Sequence, residues 1–393
     1  MFGLGGEAMI KTQVVKLKVN KTMQKHLDAL CDYRRYCWNK GLETWQLMYE
    51  AHTLNAQDNL SPNERRVRDE LVANKEDWQY DLSARCLQLT IKDLAKAWEN
   101  FFDKSQPDWG KPVFKSKKIP RQGFKTDRVK IVNGRLRLDK PRSISRDGWF
   151  DLASYEPLKM SKVKVASIFK ENGTYYVALP YKKEIVAKTK THRKTAVDVN
   201  VGHFNYTEGQ INVLPAKSQK LYRRIKHYQR MLARKREING ELAINSNNYL
   251  AVRNKLQRDY RKVVNIQNDI LQKFTTKLVN NYDQIVIEDL AVKRMMMTHV
   301  ASKGMQRSLF SEFRQILTYK CNWYDKELIL ADKMYPSTQR CAKCGYVKKG
   351  NEKITLQGNQ KHGTKHNEYI CYQCGYTNDR DENAVLNLLA LAK

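Results

Sequence analysis

Two Cys-x2-Cys pairs, Cys341/Cys344 and Cys371/Cys374, are separated by 26 residues, and each continues as Cys-Gly-Tyr, at 344–346 and 374–376. Each turn offers two thiolates at the spacing tetrahedral Zn²⁺ requires, so the repeat predicts that the chain folds back to bring both turns onto one ion. Four protein ligands leave no open coordination position, and the site is therefore read as a structural four-cysteine zinc ribbon. A disulfide pairing would be unusual in a reducing compartment, and chance does not duplicate the flanking Gly-Tyr. His362 and His366 lie between the turns and are read as loop histidines rather than ligands. Cys31, Cys37, Cys86 and Cys321 sit among apolar or aromatic neighbours and are read as buried thiols.

Charge narrows the function. Seventy-two Lys and Arg stand against 41 Asp and Glu, a formal excess of +31, far more than solubility needs and suited to a polyanionic partner. No run of about 18 apolar residues occurs and no signal-peptide core opens the chain, so neither a membrane span nor secretion is expected, and the cytoplasm is the expected compartment. The Gly-rich residues 1–8 read as an upstream start or tag.

The chain is expected to be an α+β multidomain protein. Val15, Leu17 and Val19 alternate with polar residues as in a half-buried strand. Leu27 to Tyr49, and then Leu87 to Phe101 behind Ser83 as N-cap, follow helical spacing, so residues 20–103 read as a helical insertion. A basic loop from Asp108 to Lys118 leads into two hairpins, turning at Asn133-Gly134 and Asn172-Gly173. These form a small sheet or barrel that the N-terminal strand could complete. After a charged link, Lys182 to Lys194, strands at 195–202, 284–287 and 327–331 alternate with a long helical region from Lys217 to Asn280 and a helix around Phe313 to Trp323, as in an α/β domain.

Three acids stand out in that second half. Asp198 lies inside an apolar strand, where an uncompensated charge would cost several kcal/mol. Glu288 ends the strand 285–287, and Asp381 opens a final helix that buries Ala384, Val385, Leu388 and Leu391. Alone, a strand-end acid is often structural and a helix-start Asp is usually a cap. Together they fit a site for two Mg²⁺ ions, which hydrolyse phosphodiesters with hard oxygen ligands.

The motifs Val197-Asp-Val-Asn-Val-Gly202, Ile287-Glu-Asp-Leu290, Tyr335-Pro-Ser-Thr-Gln-Arg-Cys341 and Cys374-Gly-x3-Asp-Arg-Asp-Glu-Asn-Ala384 resemble, in order, those of TnpB, the transposon-encoded RNA-guided nuclease. Lys111-Pro-Val-Phe-Lys-Ser-Lys117, Tyr175-Tyr-Val-Ala-Leu179 and Arg35-Tyr-Cys-Trp-Asn-Lys40 extend the resemblance over nearly the whole chain from Met9. It implies a β-barrel wedge domain at 9–19 and 107–190, a helical recognition lobe at 20–106, an RNase H-like RuvC nuclease domain at 191–335 and 379–393, and a zinc ribbon at 336–378. By similarity, Asp198, Glu288 and Asp381 are the catalytic, Mg²⁺-holding triad, with Asp379 as the alternative third acid. Asn200 stands where the family commonly has Gly.

The resemblance further implies a guide (omega) RNA from the transposon end and cleavage of double-stranded DNA beside a short adjacent motif, on the nucleoid. A guide–target heteroduplex is held by its backbone, so Lys and Arg should line it. The candidates are Lys111, Lys115, Lys117, Lys118, Arg121 and Lys125 around the barrel, and Arg223, Arg224, Arg230 and Arg234 on the nuclease insertion. A nuclease-inactive RNA-guided repressor would share the basic surface but needs no intact triad, and a miniature type V CRISPR effector would share the chemistry. A strand transferase is disfavoured by a ribbon placed before the last acid.

Overall fold

The computed structural model describes residues 9–105, 110–119, 121–141, 151–160, 162–183, 188–238, 241–290, 309–355 and 357–392. The suspected tag, Asp108 and Trp109 of the basic loop, and part of the charged link lie outside them. The chain divides into two compact units, residues 8–184 and 185–393. No helix among the described residues is long and apolar enough to cross a membrane.

In the first unit, β1 (Met9–Lys18) buries Val15 and Leu17 while Lys16 between them and Val14 before them are exposed, the period-two pattern of its sequence. Asn20 caps α1 (Lys21–Leu54) by accepting from Met23 N at 2.8 Å. This helix carries the whole predicted apolar stripe, with Leu27, Leu30, Cys31, Leu42 and Trp45 buried. Next come α2 (Glu64–Ala73), in a stretch too polar to announce a helix and anchored by the single buried Val67, and α3 (Ala84–Phe102), whose N-cap position is Ser83. At Gly41 a Cβ would lie 2.5 Å from Ile91 Cδ1, so α1 accepts the roughly 1 kcal/mol cost of a mid-helix glycine to close on α3.

Seven strands build one antiparallel sheet in the order β2-β6-β7-β1-β5-β4-β3, with β2 (Arg121–Thr126), β3 (Val129–Val132), β4 (Arg135–Leu138), β5 (Asp151–Ser154), β6 (Ala166–Glu171) and β7 (Thr174–Lys183). The N-terminal strand lies inside the sheet, between β7 and β5. Both expected hairpins form: Val132 faces Arg135 and Glu171 faces Thr174, and the turn residues Asn133, Gly134, Asn172 and Gly173 all take positive φ. Strands β2 and β3 lie at opposite ends of the sheet yet are joined by two residues. A flat sheet would separate them by roughly 29 Å, and that link reaches only about 11 Å, so the sheet must curl.

The second unit is an α/β layer structure. Its sheet runs β10-β9-β8-β13-β14, with β8 (Lys194–Val199) and β13 (Gln284–Glu288) parallel to each other, and β13 parallel to β14 (Glu327–Ala331). Strands β9 (His203–Tyr206) and β10 (Gly209–Asn212) form an antiparallel hairpin beside β8 that the sequence did not announce. The expected single helical region is two helices, α4 (Ala216–Arg234) and α5 (Asn247–Asn281), separated by the two-residue strands β11 (Glu237–Ile238) and β12 (Glu241–Leu242). Helix α6 (Phe310–Tyr324) precedes β14, and α7 (Arg380–Leu389) closes the chain.

Strand alternation sorts the two faces of this sheet. Val197, Val199, Ile285 and Ile287 pack with Phe274, Leu278, Phe313 and Leu317 of α5 and α6. Ala196, Val286 and Ala331 pack on the other face with Val385 and Leu388 of α7. Asp198 and Glu288 share the parity of Ala196 and Val286, so both carboxylates belong to the α7 face.

Candidate metal centres

The register Ile287↔Val197 makes Glu288 and Asp198 the next step of one parallel ladder, on adjacent strands and the same face. Asp198 is only 6% exposed. Across this face α7 supplies Asp381. The adjacent Asp379 plays a different part: it is the exposed N-cap, accepting from Asp381 N at 2.8 Å and Glu382 N at 3.2 Å. One acid therefore starts the helix and the other points to the sheet, the division the sequence left open.

Each carboxylate has its own orienting group. Asn200 donates from Nδ2 to Asp198 Oδ2 at 2.7 Å. Ser337 donates its hydroxyl to Glu288 Oε1. Asp381 Oδ2 accepts from Asn205 Nδ2 at 3.0 Å and lies 3.3 Å from His203 Nε2, while Arg380 holds its Oδ1 at 3.1 Å. Asn205 is the cross-strand partner of Asp198, so the β9 hairpin aligns two members of the set at once. Burial, then the charge of Glu288, then that of Asp381 push the Asp198 carboxyl above the usual carboxylate range, against the pull of the Asn200 amide. Burial raises Glu288 as well, opposed by Ser337. A buried carboxyl whose ionisation two neighbouring acids further disfavour fits a cation and its hard oxygen chemistry. A cavity of about 550 Å³ opens beside Glu288, lined by Val199, Phe310, Phe313, Arg314 and Tyr319.

The four cysteines meet as their spacing requires. Their sulfurs all lie within 4.8 Å of one another, the only such group of metal-ligating side chains among the described residues. Cys341 and Cys374 are 3.7 Å apart, and Cys344 and Cys371 3.6 Å, close to the roughly 3.8 Å that tetrahedral Zn–S bonds of about 2.3 Å dictate. The two knuckles repeat each other bond for bond. Cys341 N donates to Tyr346 O and Gly345 N to Cys341 O, while Cys371 N donates to Tyr376 O and Gly375 N to Cys371 O. Gly345 and Gly375 sit at φ 77° and 70°, which explains the glycine in both motifs. Burial opposes ionisation of Cys371, but the N–H groups of Cys374 and Gln373, together with the side chains of Cys374 and Cys341, outweigh it and bring the thiol down to about 7. The fully buried Lys348 places its ammonium 2.9 Å from the Tyr372 ring centroid, a buried cation beside the sulfurs. His362 stacks on Tyr372 and is not one of the four ligands.

The ribbon and α7 are tied together. Strand β15 (Glu368–Ile370) pairs with β16 (Thr377–Asp379), and β16 runs directly into α7. Asn383 and Asn387, both buried, face the ribbon one turn apart. Asn383 donates to Arg340 O and accepts from Ala342 N, and Asn387 donates to Ser337 O at 2.8 Å and Arg340 O at 2.7 Å. Tyr335 OH closes the set on Asn387 O. The segment entering the first knuckle thus grips the helix bearing Asp381 and, through Ser337, touches Glu288.

The basic candidates divide. Lys115 turns its ammonium onto Trp38, 3.3 Å from the ring centroid, and burial lowers it to about 7. Lys117 pairs with Asp32 at 2.9 Å, Lys125 with Asp93 at 2.6 Å and Arg224 with Asp259 at 3.0 Å, and Arg121 lies over the Phe169 ring. Lys111, Lys118, Arg223, Arg230 and Arg234 are exposed. The residues missed in sequence are His203, Asn205, Ser337, Asn383 and Asn387. Ser337 and Asn383 stood inside recognised motifs without a role, Asn387 was marked only as an amide four residues after Asn383, and His203 and Asn205 left no signal.

Carboxylates from two adjacent parallel strands, a third from a facing helix and a four-cysteine cluster placed just before that helix define an α/β unit with its acids gathered beside one face of the sheet. Sequences of this kind recur in known proteins. A family model described as "Probable transposase", of the OrfB IS605 type, matches residues 178–298, and one described as "Cas12f1-like, TNB domain" matches 310–388. A "Putative RNA-guided DNA endonuclease" of Streptomyces pristinaespiralis is 27% identical over 315 residues, 79% of this chain and 72% of that protein. "Putative RNA-guided DNA endonuclease InsQ" of Escherichia coli (strain K12) is 28% identical over 343 residues, 81% of this chain and 77% of its own length. "Cryo-EM structure of the Cas12f1-sgRNA-target DNA complex" contains a chain aligned over 97% of this one at 12% identity, with a TM-score of 0.33. The resemblance to TnpB carried by the motifs is borne out by these sequence matches.

Proposed function

We propose that this chain is an RNA-guided DNA endonuclease of the TnpB kind, cutting double-stranded DNA beside a short adjacent motif by Mg²⁺-dependent phosphodiester hydrolysis. The observation that carries the reading is that Asp198 and Glu288 on one sheet face meet Asp381 of the helix packed on it, where burial and the charges of the other two raise Asp198 above its ordinary range. Divalent ions bound there would supply an activated water and stabilise the leaving oxygen. The protein's own part is orientation. Asn200 fixes Asp198, Ser337 fixes Glu288, and Asn205 with His203 fixes Asp381. The four cysteines would hold a structural Zn²⁺, keeping the Tyr335–Cys344 segment in place against α7. In this reading residues 9–19 and 107–190 serve as wedge, 20–106 as recognition lobe, 191–335 and 379–393 as RuvC-like nuclease and 336–378 as ribbon. Retention of all three acids weighs against the repressor alternative.

The test is to co-express the chain with its flanking locus, sequence the RNA that co-purifies, and challenge the particle with a plasmid library carrying a guide-matched target beside randomised bases. Magnesium-dependent linearisation next to an enriched motif is expected. Guide-dependent binding without cutting at any magnesium concentration would leave a repressor instead.

A further inference from the structure

The segment Gly110–Ile119 has no regular secondary structure, yet it is fixed to α1 at several points. Asn39 forms a two-point clamp on the backbone of Lys115, donating from Nδ2 to its carbonyl at 3.0 Å and accepting from its N–H at 2.8 Å. Trp38 donates its indole N–H to Val113 O at 2.9 Å and takes the Lys115 ammonium on its ring face. Lys117 is drawn to Asp32 at 2.9 Å. Both neighbours of Phe114 are therefore held to the helix, while Phe114 is 57% exposed and Val113 71% exposed.

An aromatic ring left in water on a loop that is otherwise tightly held is an apolar surface prepared in advance. Its surroundings point to the partner, since the exposed Lys111 and Lys118 flank it, three residues before and four after. An apolar protein partner would not need those charges. A nucleic-acid strand needs both parts, cations for its phosphates and a flat ring for a base. Resting on the nucleic-acid reading above, we propose that Phe114 is a base-stacking residue, on which an unpaired nucleobase of a bound strand lies while the flanking lysines hold its phosphates. Pre-ordering by Asn39 and Trp38 removes the entropy cost of fixing the loop when the strand arrives. Such a contact accepts any base, so it contributes to affinity and strand path without reading sequence.

The experiment uses the full chain with short oligothymidylate and oligouridylate probes carrying a central 5-iodopyrimidine, which crosslinks to a stacked aromatic ring on irradiation. A crosslink mapped to Phe114 is expected, and the probe giving the higher yield shows whether the strand is DNA or RNA. Phe114→Ala should abolish the crosslink and weaken binding roughly ten-fold without changing the salt dependence. Phe114→Trp should retain affinity, and Phe114→Leu should not. Lys111→Ala should lower the salt slope by about one. Asn39→Ala, checked for an unchanged melting temperature, should weaken binding through the loosened loop. If Phe114→Ala binds and crosslinks like the parent while Lys111→Ala is weakened, stacking is refuted and the nucleic-acid reading stands. If the parent chain binds neither probe nor its co-expressed RNA, that underlying reading fails as well.

Discussion

The carboxylate face and the cysteine ribbon both gather anionic ligands from distant parts of the chain, and they differ in how far the gathering is complete. The ribbon closes four sulfurs to within 4.8 Å by two matching turns, leaving a shell with no room for a substrate. The acids sit on two strands and a helix, each steadied by a neutral donor, and burial, with the charges of Glu288 and Asp381, still raises Asp198. A closed shell fixes structure. An incomplete one leaves room for ions, water and phosphate, and stores the repulsion that a cation relieves.

The sharpest way to break this contrast is to open the closed site. Structural Zn²⁺ in such modules contributes about 10–16 kcal/mol to folding, so Cys371→Ser with Cys374→Ser should abolish hydrogen-exchange protection across 336–379. Cleavage should fall with it, because Asn383 and Asn387 lose the backbone they grip. Full cleavage by a ribbon-unfolded protein would show that the two sites are independent. A smaller effect is expected from Asn205→Ala, which frees Asp381 without removing a charge. Groups that orient metal ligands commonly cost 10–100-fold when lost, and single-turnover cleavage should slow by about that factor with guide-dependent DNA binding unchanged.

Asp198→Asn separates stability from activity. In protein freed of magnesium with the cysteine ribbon left folded, replacing a carboxyl that folding makes hard to ionise should raise unfolding free energy by about 1–3 kcal/mol at neutral pH while cleavage disappears. The sign with pH follows. The carboxyl is raised in the folded state, so the stability it lends is fully present below the unfolded value and is lost as pH rises through the folded one. The melting temperature of the magnesium-free parent should drop across that window, that of Asp198→Asn should drop less, and magnesium should flatten the parent's curve. A parent curve that matches the variant would mean Asp198 is not destabilised. Smallest is Asp379→Ala, which removes an N-cap and should cost about 1 kcal/mol in chemical denaturation while leaving most cleavage intact.

The cysteine site was legible in the sequence because its constraint is local: a turn that faces thiolates needs Gly at a positive φ, and the chain writes that turn twice. The hairpins were legible for the same reason, through Asn-Gly pairs. Asp198 and Glu288 showed as charges in apolar strands, but their shared face needed the register between β8 and β13, which no single strand carries. Helix α2 was hidden because only Val67 is buried along it, and β9 because its buried Phe204 stands among polar residues. His203 and Asn205 were hidden with it: a strand polar on its site-facing side looks like a loop. Lys115 reads in sequence as a phosphate contact, and its place on the Trp38 ring came only with the fold.

The most direct test is cleavage of a guide-matched supercoiled plasmid by the parent and by Asp198→Ala, Glu288→Ala and Asp381→Ala, with magnesium or after its removal. Each variant should cut at least about 10³-fold more slowly while still binding the target, and the parent should stop cutting without the metal. Cutting by any of the three at near the parent rate, or cutting by the parent without a divalent ion, would contradict the assignment of this face as the nuclease centre.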